Sequence, residues 1–286
     1  MRYLYVMYQN SQTARMTHVF LLVLFVLLEP GLLFAQRQIP TAKEKAEAEH
    51  VWEQLIIAKG GRNRLHAITN MMLTKGNKPP NVQIEFYVYP NRFWEWSKGK
   101  IVHEYKDVSM ANLDRGVYLF DPQPINADRV QPVNGGANYR ETWLGDASLF
   151  LLETKWLQPT PMRVRSVSDG KKRWDVVETV FASLTKYNDW GIDYYIDPET
   201  LEIQMAAECD AKGEPYTLWI FDGQKEVAGI NVPATATAVS GRTNLKKLPK
   251  KPFSGLTFQF NIEYDEKLFE RPPSVAEGPD AWRRKQ

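Results

Sequence analysis

The chain has 286 residues, 43% hydrophobic and 24% charged, with a formal net charge of +2. That is enough for a sizeable core in one large or two ordinary domains, and a balance so near neutral predicts no nucleic-acid footprint, for which a basic stripe would be needed. Cys209 is the only cysteine, which excludes an intrachain disulfide and a thiolate metal cluster.

Near the N-terminus, Val19 to Leu28 is an unbroken apolar run, interrupted by Glu29-Pro30-Gly31 and resumed by Leu32 to Ala35. A membrane span needs about 20 apolar residues. The run fits the core of a signal peptide, with Arg2 and Arg15 upstream and Ala35 at a cleavage position before Gln36. An uncleaved N-terminal anchor is the alternative, and either Met1 or Met16 can serve as the start. The sequence therefore divides into a signal peptide (1–35), a β domain (36–273) and a polar C-terminal tail (274–286), and a periplasmic location is expected.

Pro40 to Ala58 reads as a helix: Thr41 followed by Glu44 has the form of a capping box, and Ala46, Val51, Trp52, Leu55, Ile56 and Ala58 recur at roughly helical spacing. Gly60-Gly61 ends it. A short turn from Asn63 to Ile68 precedes a strand near Met71 to Thr74. Next, Val82, Ile84, Phe86 and Val88 alternate with Gln83, Glu85, Tyr87 and Tyr89, which predicts a strand with one face buried. Pro90-Asn91 turns the chain into Arg92 to Trp96, and further strands are expected at Ile101 to Tyr105 and Gly116 to Phe120. A loop follows from Pro122 to Gly136, then a second helix from Ser148 to Leu157.

Asp169-Gly170 between Met162 to Val167 and Arg173 to Val180 is a hairpin signal. From Ile192 to Phe221, three β-prone runs are separated by Asp197-Pro198-Glu199-Thr200 and by Asp210 to Pro215, turn chemistry that predicts an antiparallel meander. Val227 to Ser240 and Leu256 to Tyr264 continue the strands, with the basic segment Leu245 to Pro252 as a solvated loop between them.

Chemistry-bearing patterns are sparse. His50, His66 and His103 are not at metal-ligand spacing, there is no G-x-S-x-G elbow, and no glycine loop has phosphate-binding form. Glu85, Asp193, Asp197 and Glu263 lie on or near strands, where paired acids would be needed for glycoside chemistry and solvent-facing charge is the commoner explanation. Cys209 has no positive neighbour to activate it. The reading is therefore non-enzymatic, with no cofactor. The aromatics are more informative. Trp94, Trp96, Tyr118, Phe120, Trp174, Tyr194 and Trp219 all fall in predicted strands, and a curved sheet with one long helix to cover it would leave a concave apolar face. Such a face suits an acyl chain, at about 0.8 kcal/mol per buried methylene. The rival readings are an envelope structural or interaction module whose barrel is filled by its own side chains and, behind it, an envelope glycan hydrolase acting through paired acids.

Several segments in order resemble the LolA/LolB-like superfamily of outer-membrane lipoprotein-sorting proteins. They are AKGGRNRLHAI (Ala58 to Ile68), FYVYPNRFWEW (Phe86 to Trp96), YYIDPETLEIQMA (Tyr194 to Ala206), VAGINVPATATAV (Val227 to Val239) and DEKLFERPP (Asp265 to Pro273). The resemblance implies a mainly β fold, an incomplete antiparallel β-barrel with a covering N-terminal helix and short lid helices. It also implies a periplasmic carrier for the acyl chains of lipids or lipoproteins, with envelope membrane proteins as further partners and a monomeric state. The founding chaperone's arginine before Pro-Asn is replaced here by Tyr89. On this reading Phe86, Val88, Trp94, Trp96, Tyr118, Phe120 and Trp219 line the cavity, and Trp52 and Leu55 pack on it from the lid. Which alternating face points inward is left open.

Overall fold

The computed structural model describes residues 39–76, 82–98, 108–112, 117–121, 131–132, 147–181, 190–210, 212–240, 250–253 and 255–269. The expected signal peptide, the predicted strand at Ile101 to Tyr105 and the expected C-terminal tail lie outside them.

Helix α1 (Ala42–Lys59) starts at a complete capping box: the Thr41 hydroxyl accepts the Glu44 N–H at 3.2 Å, and the Glu44 carboxylate accepts the Thr41 N–H at 2.8 Å. It stops at Gly60, whose N–H bonds back to Ile57, while Gly61 N–H bonds to Ile56 O at 2.8 Å. The short helix α2 (Arg62–His66) follows.

The strands then run as two meanders. The first comprises β1 (Asn70–Lys75), β2 (Val82–Val88), β3 (Arg92–Lys98), β4 (Val108–Asn112), β5 (Val117–Asp121) and β6 (Gln131–Pro132). The second comprises β7 (Thr160–Ser168), β8 (Arg173–Val180), β9 (Gly191–Ile196), β10 (Ile203–Cys209), β11 (Pro215–Val227), β12 (Ile230–Ser240) and β13 (Lys250–Phe253). The last strand, β14 (Leu256–Phe260), returns to the first meander and pairs antiparallel with β1. The result is two seven-stranded antiparallel sheets, ordered β14-β1-β2-β3-β4-β5-β6 and β13-β12-β11-β10-β9-β8-β7. They adjoin where β12 touches β14 and do not close into a barrel.

Turn chemistry sets this order. Asp169, Asp197 and Asp210 each lead a reversal by accepting two backbone N–H groups on one carboxylate oxygen, at 2.7–3.3 Å. The seam between β1 and β14 is held by a reciprocal pair of asparagines. Asn261 Oδ1 accepts the Thr69 N–H at 2.7 Å and its amide donates to Ala67 O at 3.1 Å, while Asn70 bonds both the N–H and the carbonyl of Ile262 at 2.9 and 3.1 Å.

Three expectations change. The helix predicted from Ser148 to Leu157 covers only 147–151. Leu152 adopts φ of +71°, and Thr154 Oγ1 draws the N–H groups of Trp156 and Leu157 into a turn at 3.3 and 3.1 Å. The strand predicted through Tyr264 ends at Phe260 because Asn261 takes φ of +51°. The basic stretch expected as loop carries strand β13 at its end, paired with Ala236 to Val239.

Helix α1 crosses the inner face of the second sheet from β7 and β8 to β12. Its buried residues Trp52, Leu55 and Ile56 join the main core, each worth about 1.5–3 kcal/mol on full burial. Its C-terminal end is jammed against the β11–β12 turn, where Asn231 donates to Ala58 O at 2.7 Å and a Cβ built at Gly60 would collide with the carbonyl of Gly229. Gly60 also has φ of +130°, so position 60 excludes any side chain on two counts. A Gly60→Ala variant should lose at least about 2 kcal/mol of stability in denaturant unfolding; an unchanged midpoint would show that α1 docks without this contact.

Candidate functional site: the inner face beneath the covering helix

Strand alternation divides each sheet into two apolar faces. On the first sheet the inner face carries Met71, Leu73, Tyr87, Phe93 and Phe258, together with Tyr89 just past β2; all belong to the main core. The outer face carries Met72, Ile84, Phe86, Val88 and Trp94, covered by Leu268 and Phe269 of a 3-10 turn at Glu266–Phe269. Phe86 meets Phe269 at 6.0 Å and Tyr264 at 5.3 Å between ring centroids.

The residues expected to line one cavity are therefore not all brought together. Phe86, Val88 and Trp94 lie on the outer face, whereas Trp219, Trp52 and Leu55 belong to the inner core or pack against it. Trp96 pairs with Ile84, Tyr118 with Ala111 and Phe120 with Ser109; their side chains lie outside the described residues. The reason is that β2 is buried on both faces. Tyr87 and Tyr89, on the alternate set of β2, build the inner wall together with Glu85, for which solvent-facing charge is the expectation. The covering turn at Glu266–Phe269 was not anticipated, although the apolar pair Leu268-Phe269 in a polar stretch was its signal.

The inner wall is occupied in part by the segment 147–157. Phe150, 2% exposed, bridges the sheets, with ring centroids 5.8 Å from Trp219, 5.9 Å from Phe221 and 5.5 Å from Phe258. Tyr194 donates its hydroxyl to Ser148 O at 2.9 Å and meets Trp52 of α1 at 5.5 Å. Farther along, Trp156 packs on Tyr89 at 5.6 Å.

Two polar groupings interrupt this apolar wall. In the first, Lys75 pairs with Glu85, which also accepts from Gln83 at 2.8 Å and from Tyr87 Oη at 2.9 Å. The Lys75 ammonium lies 5.4 Å from the Trp219 ring centre, and Trp219 Nε1 donates to Glu208 at 3.4 Å. Burial pushes the Glu208 carboxyl up, against the hydrogen bonds from Thr217 and Trp219.

The second grouping fastens the helix. Glu153, 1% exposed, accepts Arg62 Nε at 2.7 Å and Trp52 Nε1 at 3.3 Å, and contacts His66 Nε2 at 2.8 Å. Arg62 also bridges to Glu53 at 2.8 Å, and its bonds to Glu153 and Glu53 hold its proton more tightly than usual. This latch joins α1, α2 and the 147–157 segment.

The acids considered for glycoside chemistry are dispersed. Glu85 is paired on the inner face of the first sheet, and Asp193 lies 3.5 Å from Arg165 on the second. Asp197 sits in a turn 2.8 Å from Lys172, and Glu263 is exposed beyond β14. Among the described residues no group of three or more His, Cys, Asp or Glu could hold a metal ion, and no helix is long and apolar enough to cross a membrane.

No family model matches the chain, and neither does any curated protein. Among solved structures, the chain is similar to a LolA superfamily protein from Nitrosomonas europaea, at 8% identity and a TM-score of 0.43, over 78% of this chain and 97% of that one. It is also similar to a DUF1329 family protein from Desulfovibrio piger, at 9% identity and 0.39, with the same coverage. A domain described as an outer membrane lipoprotein-sorting protein, from Vibrio parahaemolyticus, matches at 10% identity and 0.35, over 79% and 97%. At such identity and superposition these likenesses bear on neither ligand nor partner.

Two outcomes follow from the buried charges. Replacing Glu153 by Ala removes the acceptor shared by Trp52 and Arg62 and the contact with His66, and should cost about 1–3 kcal/mol, read as a lower denaturant midpoint. Lys59, buried on α1, is pulled down by desolvation to about 7. Its unfolded form holds a proton up to the usual lysine range, so this residue makes stability rise as pH increases from about 7 to 10. In Lys59→Met that slope should disappear and stability at pH 7 should increase, measured by urea unfolding at a series of pH values.

Proposed function

We propose that this protein is a non-enzymatic carrier of the exported compartment that shelters acyl chains of lipids or lipoproteins between the inner sheet faces and α1. The observation that carries the reading is the placement of Phe150. One ring, on a short helical segment, fills the space between the two sheets where a chain would run. A guest would displace that segment and take over its contacts with Trp219, Phe221 and Phe258. The latch at Glu153 is built of hydrogen bonds and ion pairs to Arg62 and His66, so it can open and reform. Of the residues proposed from sequence, Trp219, Trp52 and Leu55 stay in the guest path, and Tyr87, Tyr89 and Phe93 replace Phe86, Val88 and Trp94.

The N-terminal apolar run supports a periplasmic location, and the scatter of carboxylates is the ground for proposing no hydrolase. The envelope-module reading keeps one specific observation in its favour, since the same Phe150 contacts fill the interior without any guest.

Titration of the mature protein with oleyl alcohol, an uncharged acyl-type chain, separates the two. The carrier should bind it with a change in tryptophan emission. Phe150→Ala should lose about 3 kcal/mol or more of stability to the cavity, bind the chain about tenfold tighter, and recover stability when it is present. Absence of binding by both proteins would overturn the carrier and leave the self-filled module.

A further inference from the structure

The stripe of α1 that faces the core holds Ala48, Trp52, Leu55, Ile56 and, one turn on, Lys59. A cation at the end of an apolar stripe is anomalous. Lys59 is 7% exposed and makes no hydrogen bond or ion pair among the described residues, although burying an uncompensated charge is costly. The five residues that follow it, Gly60 to Arg64, line a surface depression of about 470 Å³.

The basic groups at this corner outnumber the acids. Glu53 and Glu153 are both committed to Arg62, and Glu153 also to His66. Arg64 is exposed and, among the described residues, donates only to the carbonyl of Gly60, at 2.9 Å. Among the described residues Lys59, buried in the last turn of α1, and Arg64, exposed in α2, therefore stand without a carboxylate.

We propose that the corner between α1 and α2 receives the anionic head of an amphiphile whose chain lies along the inward stripe of α1. The arrangement matches such a molecule end to end. Trp52, Leu55 and Ile56 offer apolar contact to the chain, Lys59 supplies a charge where that contact ends, and Arg64 meets the head in the open depression. An incoming carboxylate would supply the partner that Lys59 lacks, and a charge-assisted hydrogen bond in so dry a setting is among the stronger polar contacts. This inference rests on the carrier reading and adds the chemistry of the head.

The test compares oleate with oleyl alcohol, the same chain with and without the charge, titrated into the full mature protein and its variants. Wild type should bind oleate about tenfold more tightly than the alcohol. Lys59→Met should bring the ratio of the two affinities down toward one, and Arg64→Gln, a change at an exposed position, should reduce it in the same direction. Equal affinity of wild type for the two ligands would overturn the head-group site and leave the carrier intact, as would a Lys59→Met variant that weakens both ligands alike. If neither ligand binds wild type or Phe150→Ala, the carrier reading fails and this inference with it.

Discussion

A carboxylate almost wholly shielded from water must be satisfied by donors brought to it, and Glu153 imposes that demand on the structure. Its three partners come from two helices, Trp52 from α1 and Arg62 and His66 from α2, all facing a residue that lies just beyond the 147–151 segment. Unpaired, such a charge would cost several kcal/mol; paired, it fixes where the covering helix sits relative to the segment that fills the interior. The position of Trp52 over Tyr194 and the reach of Phe150 between the sheets both depend on that alignment.

The covering helix is thus held at two points of different character. At its C-terminal end the contact is steric, backbone against backbone at Gly60 and Gly229, with no room for adjustment. Near its middle the contact is electrostatic and partly wetted, because the Arg62 side chain is 41% exposed. The helix is held by one contact that excludes any side chain and by another that water reaches.

Much of the fold was legible because its signals are local. Thr41 with Glu44 marked the start of α1 and Gly60-Gly61 its end. The Asp-led turns at 169, 197 and 210 fixed the second meander. What escaped was non-local. Period-two alternation says that a strand has two faces, but Phe86 and Trp94 compete with Tyr87 and Phe93 on equal terms, and only the turn at Glu266–Phe269, far along the chain, decides which set faces outward. Glu85 read as a solvent-facing residue because its partner Lys75 lies on another strand. The role of Glu153 could not be read from its neighbours in sequence either, since its donors lie 87 to 101 residues away. Of the candidate site, the covering residues Trp52 and Leu55 and the wall residue Trp219 could be found by composition and period; the filling segment could not.

The pairing of β14 with β1 has a consequence for how the chain is made. The asparagine clasp joins residues separated by 192 positions, so β1 and β2 emerge long before the strand that completes their sheet. During synthesis the free side of β1 is a bare row of hydrogen-bonding groups, the kind of edge that recruits stray strands from other chains. Contacts of such long range also slow folding. The newly made polypeptide therefore passes through an adhesive stage that ends only when its final strand arrives.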